Sequence, residues 1–335
     1  MDRPYLLFLG DVADQLAAKT AHGIADWRPE WCVGQLRLPG CKADTGLADL
    51  TLEEAAAKGA KTLVVAVANS GGSMPEHWTD TIVKAIGLGM DIASGLHVRL
   101  GQLPAVAAAA TQHGRKLYDV RYTDQTFNTG KGFKRAGLRC LTVGTDCSVG
   151  KKYTALAITK EMEKRKLKVD FRATGQTGIF ISERGVAIDA VISDFISGAA
   201  EWLTPENEPD HWDIVEGQGS LFHAAFAGVT LGLLHGAQPD ALVLCHEPTR
   251  THMRGLPHAP IPALKDCFEP YLAMAALTNP DCRFVGISLD THLLSRHAAD
   301  RLLKSTEDQF GLPCVDSLAT GTASIADALE ALCAN

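Results

Sequence analysis

The sequence lacks any long apolar run. Nowhere in its 335 residues do about 18 apolar residues follow one another. Its opening stretch, MDRPYLLFLGDVADQ, also holds too short an apolar run for a secretory signal. We therefore predict a cytoplasmic protein with no membrane partner. A composition of 46% hydrophobic and 21% charged residues excludes a disordered chain.

Paired cysteines are absent as well. The nine cysteines are odd in number, scattered along the chain, and never spaced as Cys-x-x-Cys. Structural zinc sites and redox motifs use that spacing. We expect reduced thiols and no resident metal.

The sequence also lacks an excess of positive charge. The 32 Lys and Arg residues are outnumbered by 39 Asp and Glu residues, which leaves a net charge of -7. Such a chain does not attract nucleic acid as a whole, so any anion-binding site must be local. The partner that we do expect is a second copy of the chain, because α/β enzymes of this size commonly form symmetric homo-oligomers.

What the sequence does contain is a repeated alternation of short apolar runs with longer helical patterns, which predicts α/β architecture. The length favours two domains, and we place them at residues 1–135 and 136–335 on either side of a polar, glycine-containing linker, RYTDQTFNTGKGFKRAG. The first is expected to be Rossmann-like, with strands at 5–9, 62–68, 91–94 and 117–120. The second is expected to be a P-loop domain with a doubly wound parallel sheet, its strands at 139–143, 167–171, 213–215, 241–245, 284–289 and 314–315.

The strongest motif is LTVGTDCSVGKKYTALAI at residues 141–158. A strand leads into a glycine-flanked loop, a lysine and a helix, an order that points backbone N–H groups and a positive helix end at an anion. We therefore predict that this segment binds the phosphates of a cofactor. The predicted phosphate-binding residues are Gly144, Thr145, Asp146, Cys147, Ser148, Val149, Gly150, Lys151, Lys152 and Tyr153.

The motif lacks the hydroxyl that usually follows its lysine. P-loop enzymes hold Mg²⁺ with a Ser or Thr at that position, and here it is Lys152. The loop is also one residue longer than the commonest form, and it resembles the GTDT-x-VGKT loop of dethiobiotin synthetase. The missing hydroxyl favours a diphosphate that is gripped and not cleaved, such as the ADP portion of coenzyme A. Cys147 is better explained as part of the loop than as a nucleophile.

Polar side chains follow several of the predicted strands, where ligands of open α/β sheets bind. Candidates for a general base are Glu216, His223 and His246, and candidates for substrate contacts are Arg172, Thr174, Gln176, Glu247 and Arg250. In the linker, Lys131, Lys134 and Arg135 form either a solvated basic face or a contact to the 3′-phosphate of coenzyme A.

The first domain offers two glycine-containing turns, at residues 69–72 and 94–97, that could face a small ligand. It lacks a Gly-x-Gly-x-x-Gly fingerprint, so a nicotinamide role has little support.

The chain resembles a known family, the two-domain P-loop proteins long described as a domain of unknown function and later assigned as D-glutamate N-acetyltransferases. The resemblance is carried by GTDCSVGKK, ATGQTG, DFISGAAE, VEGQGSLFH and CHEPTR in the second domain, and by AKTAHG and SGLH in the first. It implies acetyl transfer from acetyl-CoA to the amine of D-glutamate, an early step in D-glutamate catabolism. Under it, Arg172 and Arg250 would bind the two substrate carboxylates.

Two other functions stay open at this point. The loop and Glu216 are also compatible with an ATP-dependent, carboxylate-activating enzyme or kinase of the dethiobiotin synthetase type, which would use Mg-ATP. A nucleotide-sensing regulator without turnover is the third hypothesis. Residue patterns alone do not distinguish D- from L-glutamate.

Overall fold

A computed structural model describes residues 1–68 and 73–333 of the chain. Two compact units are present. The first contains Met1–Asp124 and Gln176–Ala187, and the second contains Gln125–Gly175 and Ile188–Asn335. Over the described residues, no helix has both the length and the apolar character to cross a membrane.

The first unit is built on a parallel sheet of five strands, counted over its described residues, in the order β2-β1-β3-β4-β5. The central strands are uniformly buried, as expected for a parallel sheet that is covered on both faces. The strands are β1 (Tyr5–Gly10), β2 (Cys32–Arg37), β3 (Thr62–Val65), β4 (Asp91–Ser94) and β5 (Leu117–Asp119), and the helices are α1 (Lys19–Trp27), α2 (Leu52–Ala57), α3 (Thr79–Gly87) and α4 (Pro104–His113). The predicted α/β class is confirmed, although β2 and α1 were not predicted. The predicted turn at residues 69–72 lies outside the described residues.

A short segment from the middle of the second half of the chain also belongs to the first unit. Helix α6 (Gln176–Ser182) packs against α1, and the side chain of Phe180 is fully buried in the apolar core of the first unit. The hydroxyl groups of Thr20 and Thr177 lie 3.0 Å apart and fix the contact further. Sequence reasoning does not foresee this assignment, because the helix is flanked on both sides by residues of the second unit.

The second unit contains a parallel sheet in the order β13-β12-β9-β6-β8-β7 and a separate antiparallel hairpin, β10-β11. All six strands of the parallel sheet coincide with predicted ones. The strands are β6 (Leu138–Gly144), β7 (Val169–Arg172), β8 (Trp212–Val215), β9 (Ala241–His246), β10 (His252–Met253), β11 (Leu256–Pro260), β12 (Arg283–Leu289) and β13 (Cys314–Val315). The helices are α5 (Lys151–Lys164), α7 (Ile196–Leu203), α8 (Ala227–Ala237), α9 (Lys265–Ala275), α10 (Arg296–Phe310) and α11 (Ala323–Cys333).

The order of these strands determines where the sheet is expected to form a ligand-binding crevice. The chain leaves β6 toward β7 on one side of the sheet and leaves β9 toward β12 on the other. The carboxyl ends of β6 and β9 lie side by side, with Gly144 opposite Cys245. Neighbouring strands whose connections diverge in this way form the topological switch point at which open α/β sheets bind ligands. The segments 144–150 and 247–254 therefore meet at this edge.

The structure groups residues 125–135 with the second unit, whereas the predicted domain boundary lies after residue 135. Hydrogen bonds explain the grouping. The guanidinium of Arg135 donates to the carbonyl oxygens of Thr204 and Gly236 and to the side chain of Gln238, and the ammonium of Lys134 binds Asp240 at 3.1 Å.

These contacts also show where the side chains of two basic linker residues, Lys134 and Arg135, lie. They hold the head groups of Lys134 and Arg135 near the start of β6, while the phosphate-binding segment follows its end. A strand of this length spans about 20 Å. The structure thus contradicts a contact between these two head groups and a cofactor bound at the loop.

Arg139 is the most deeply buried cation of this region, with a relative exposure of 0%. Its guanidinium donates to the carbonyl oxygens of Arg135, Ala136, Gly137 and Pro205 at 2.9–3.2 Å. It therefore fastens the linker to the start of the sheet.

We predict that Arg139→Met lowers the free energy of unfolding by about 3–5 kcal/mol, because buried carbonyl oxygens lose a charged donor. Arg296→Met is the matched control, since the side chain of Arg296 is 84% exposed; its effect should stay within about 0.5 kcal/mol. Urea and thermal unfolding measure both variants. Equal stability of the two variants would contradict the fastening role of Arg139.

Candidate functional site

The phosphate loop, residues 144–150, joins β6 to α5 at the switch point. Ser148 and Gly150 have φ values of +52° and +92°, left-handed conformations that turn backbone N–H groups toward a common anion position. Gly150 is the N-cap residue of α5 and has no side chain with which to cap it. The N-terminus of the helix thus faces the loop with its partial positive charge.

Lys151 reaches into the loop from the first turn of α5. Its side chain is buried, and its Nζ donates to the carbonyl oxygen of Asp146 at 2.7 Å. Burial lowers the pKa of the Lys151 ammonium, and nearby thiol and carboxyl groups oppose the change. Gly217 allows this approach, because a Cβ there would lie 1.7 Å from the Thr142 carbonyl oxygen and 3.0 Å from Lys151 Cδ. An anion in the loop would supply a counter-charge to Lys151.

A second segment, residues 247–254 after β9, holds the loop from outside. Arg250 donates to the Asp146 carboxylate at 2.8 Å and to the carbonyl oxygens of Cys147 and Ser148 at 2.6 and 2.9 Å. The backbone N–H of Arg254 donates to the same Asp146 oxygen, and its guanidinium binds the Ser148 hydroxyl. Arg250 and Arg254 together thus fix the loop backbone from Asp146 to Ser148.

The predicted base Glu216 follows β8 and is almost fully buried. Its Oε2 accepts hydrogen bonds from the N–H groups of Thr174 and Gly175 at 3.0 and 3.2 Å. Burial raises the pKa of Glu216 to about 7, although the Lys152 ammonium and the two N–H donors oppose the rise. A fixed carboxyl group that titrates near neutral pH is suited to proton transfer.

His223 is brought close to the phosphate loop, but both of its ring nitrogens are engaged. Nδ1 accepts from the N–H of Ala225 at 3.2 Å, so Nε2 carries the proton in the neutral ring and donates to the Arg254 carbonyl oxygen at 2.9 Å. The ring also stacks on Phe226 at 4.6 Å. This arrangement makes His223 a support for the 247–254 segment and leaves it poorly suited to accept a proton from a substrate.

His246 lies beside the loop at the end of β9. Its Nδ1 is 2.9 Å from the Thr145 hydroxyl, and burial lowers the pKa of its imidazole. The carboxylate of the next residue, Glu247, accepts from the N–H and hydroxyl of Thr249 and lies 3.5 Å from Arg250 Nε. Glu247 therefore shapes the segment that carries Arg250, whereas His246 stays a candidate base.

The structure does not place all predicted substrate contacts at this edge. The guanidinium of Arg172 donates to Asp213 and Asp170 at 2.7 and 3.0 Å. Those carboxylates lie two residues back along β8 and β7, so the Arg172 side chain points away from the carboxyl ends of the strands. Thr174 is buried beside Glu216 and donates to its carbonyl oxygen. Gln176 begins α6 and belongs to the first unit.

Sequence reasoning missed Tyr271. The buried Tyr271 hydroxyl, on α9, donates to the Gly144 carbonyl oxygen at 2.7 Å and accepts from the N–H of Leu221 at 3.3 Å. It thereby joins the start of the phosphate loop to the segment after β8. No sequence signal identifies it, because nothing in the local pattern of α9 distinguishes a tyrosine that reaches the loop from an ordinary core residue.

Among the described residues, two groups of side chains, both in the second unit, have spacings that could accommodate a metal ion. Each group is already adjacent to an arginine: Arg250 binds the carboxylate of one, and Arg172 binds both carboxylates of the other. A cation there would meet positive charge at short range. The groups are Asp146, Cys147 and His223, and Asp170, His211 and Asp213.

Fold and site together define a two-unit α/β protein whose second unit carries a P-loop-type strand, loop and helix. The chain belongs to the DUF1611 family. Residues 36–123 match that family's model for a Rossmann-like domain of unknown function, and residues 126–326 match its model for a P-loop domain of unknown function. The predicted family and both predicted domain types are confirmed.

Two relatives named for an enzymatic activity are similar to nearly the whole chain. The chain is 54% identical over 332 residues to a D-glutamate N-acetyltransferase of Tritonibacter scottomollicae, covering 99% of this chain and 100% of the relative. It is 53% identical to a D-glutamate N-acetyltransferase of a Pseudoalteromonas species, covering 96% and 97% of the two chains. A crystal structure of a DUF1611 family protein from Anabaena variabilis is similar at 30% identity with a TM-score of 0.89, covering 98% of this chain and 100% of that one.

We predict that Arg250→Met raises the hydrogen-exchange rates of backbone amides 145–150 by about tenfold or more, since a hydrogen bond from a charged donor contributes about 1.5–3 kcal/mol. Mass spectrometry of peptides from this segment measures the change. Arg301→Met, at an exposed position of α10, is the matched control and should leave these rates unaltered. Unchanged exchange at 145–150 in Arg250→Met would show that the loop keeps its conformation without Arg250.

Proposed function

We propose that the protein is an N-acetyltransferase that moves the acetyl group of acetyl-CoA to the amine of D-glutamate. The single observation that carries the proposal is the phosphate loop with two consecutive lysines, Lys151 and Lys152, in place of lysine and a metal-binding hydroxyl. Such a loop is suited to holding the diphosphate of coenzyme A without cleaving it. Two relatives, 53–54% identical over nearly the whole chain, are named D-glutamate N-acetyltransferase. Their name supports acetyl as the transferred group and D-glutamate as the acceptor.

The reaction needs a base and a place for the leaving thiol. The amine nitrogen of D-glutamate forms a bond to the thioester carbonyl carbon, the C–S bond breaks, and coenzyme A leaves as its thiol after taking up a proton. The substrate ammonium group must lose a proton before or during attack. No covalent bond to the protein is required, in keeping with the interpretation of Cys147 as part of the loop.

Of the three candidate bases, Glu216 is the best supported. It is held by two backbone N–H groups, and burial brings its pKa close to neutral pH. His223 has both nitrogens engaged, while His246 contacts the loop through Thr145. We therefore assign proton removal to Glu216 and keep His246 as the second candidate.

The arginines proposed for the substrate carboxylates need a different assignment. The guanidinium of Arg172 is bound by Asp170 and Asp213, and that of Arg250 is bound by Asp146 and two loop carbonyl groups. Each is better explained as a positioning residue. Thr174 and Glu247 also serve as positioning residues in this proposal, and Gln176 stays a predicted substrate contact. A cytoplasmic location and a homo-oligomer likewise stay predictions.

The direct test is an assay of thiol release from acetyl-CoA, with mass spectrometry of the product. We expect turnover with D-glutamate, and loss of catalytic efficiency in Lys151→Met through a KM for acetyl-CoA raised about tenfold or more. With acetyl-pantetheine, which has no phosphates, the same variant should match the wild type. Tight binding of Mg-ATP without binding of acetyl-CoA would contradict the proposal and favour an ATP-dependent enzyme. Nucleotide binding without turnover of any acyl donor would favour a regulator.

A second prediction concerns pH. Glu216 removes a proton only as the carboxylate, so its contribution should be small below pH 6 and should rise as the pH passes through about 7. The ratio of wild-type to Glu216→Gln rates isolates this group from the substrate ammonium. We expect Glu216→Gln to lower kcat about 10²–10⁴-fold.

The control for this pH profile is Glu163→Gln, at an exposed position of α5, which should keep the wild-type profile. If His246→Gln loses activity to this extent and Glu216→Gln does not, His246 is the base.

A further inference from the structure

The segment that follows β8, residues 216–219, has its backbone held from two sides. The N–H of Gly217 donates to the Thr142 hydroxyl on β6 at 3.0 Å. The carbonyl oxygen of Gln218 accepts from the Thr230 hydroxyl on α8 at 2.7 Å. These two hydrogen bonds fix the point from which the Gln218 side chain leaves the backbone.

The side-chain amide of Gln218 reaches Thr174. Its nitrogen, Nε2, lies 3.2 Å from the Thr174 hydroxyl oxygen. That hydroxyl has one proton, which it donates to the carbonyl oxygen of Glu216. The Thr174 oxygen can therefore only accept from Gln218, so the amide nitrogen, and not the amide oxygen, faces Thr174.

Gly175 leaves room for this amide. A Cβ at Gly175 would lie 2.5 Å from Gln218 Nε2, a distance that real Cβ contacts do not reach. Gly175 is not among the glycines with a positive φ, so the backbone itself does not require glycine here. The amide thus occupies space that a side chain at position 175 would fill.

The same two residues position the proposed base. The N–H groups of Thr174 and Gly175 bind Glu216 Oε2, so the base and the Gln218 amide are fixed relative to each other. An amide nitrogen carries two hydrogens, and Thr174 is the one hydrogen-bond partner of the half-buried Gln218 side chain among the described residues. The amide therefore keeps one N–H for a ligand beside the base.

Acetyl transfer needs such a donor close to a base. When the amine nitrogen forms its bond to the thioester carbon, the π electrons of the carbonyl group move to its oxygen, which is an oxyanion until the C–S bond breaks. The nitrogen and the oxygen are then attached to the same carbon. The group that removes the proton from the nitrogen and the group that stabilises the oxygen must therefore lie close together. Fixed N–H donors stabilise oxyanions of this kind.

We propose that Gln218 is a catalytic residue whose amide N–H binds the oxyanion formed during acetyl transfer, with Thr174 and Gly175 as positioning residues. This assignment rests on the proposed function, because it requires a thioester carbonyl group in the site. Glu216 keeps its role as the base. It takes the proton of the amine, and the departing thiolate takes up a proton when the C–S bond breaks.

Steady-state kinetics of thiol release and calorimetry of acetyl-CoA binding test this role. Gln218→Met keeps the length of the side chain but has no N–H donor, so we expect kcat to fall about 10²–10³-fold. The KM for D-glutamate and the Kd of acetyl-CoA should change less than about threefold, because the interaction is made only in the transition state. Gln309→Met, at an exposed position of α10, is the matched control and should have the wild-type kcat.

Gly175→Ala tests the same interaction from the other side. The added methyl group displaces the Gln218 amide but leaves the N–H that binds Glu216 in place, so kcat should fall to a similar extent while the pH dependence assigned to Glu216 is retained. Because both substitutions remove one interaction, the double variant should be about as active as Gln218→Met alone. Thermal unfolding of each variant checks that the protein remains folded.

Two results would overturn the role of Gln218: a wild-type kcat in Gln218→Met, or a raised KM for D-glutamate with kcat unchanged, which would make Gln218 a substrate-binding residue. Acetyl transfer would stand in both cases, because the wild type still turns over. A wild type that releases no thiol with D-glutamate would instead refute the proposed function, and the role of Gln218 would fail with it.

Discussion

The buried carboxylate of Asp146 is the constraint on which the rest of the site depends. It lies inside the protein at 0% exposure, and one of its oxygens accepts from both the guanidinium of Arg250 and the N–H of Arg254. A buried charge that loses its partner costs several kcal/mol, so the loop and the 247–254 segment are tied to one arrangement. The same residue supplies, through its carbonyl oxygen, the acceptor for Lys151. Asp146 thus positions both Arg250, through its carboxylate, and Lys151, through its carbonyl oxygen.

The sheet topology makes this arrangement possible. Since β6 and β9 are neighbours whose connections diverge, the segments that follow them are forced together at their carboxyl ends. Glu216 follows β8, which neighbours β6 on the side opposite β9. The next residue, Gly217, lies close to the Thr142 carbonyl oxygen on β6. Tyr271 then joins Gly144 to Leu221 from the helical layer. The phosphate loop is held on both sides, which favours a pre-organised site.

The sequence predicts the fold class and the phosphate loop well, for identifiable reasons. The spacing of Gly144, Gly150 and Lys151 is a local signal, and the six strands of the second sheet are short apolar runs with clear boundaries. Strand β2 escapes prediction because it is an edge strand with a half-buried, mixed pattern that includes Gln35. The inclusion of α6 in the first unit escapes prediction because it depends on contacts with a helix far away along the chain.

The orientation of long side chains is the part that sequence does not specify. Arg172 and Arg250 both follow strands at the ligand edge, yet Arg172 turns back to Asp213 and Arg250 turns onto the loop. A guanidinium is bound wherever carboxylates and carbonyl groups match its fork. Asp213 lies 41 positions from Arg172, and Asp146 lies 104 positions from Arg250. Lys151 is the contrasting case, because it begins α5 directly after the loop and its Nζ binds the carbonyl oxygen of Asp146, only five residues back along the chain. Chemistry at the start of a helix is therefore more predictable from sequence than chemistry at the end of a strand.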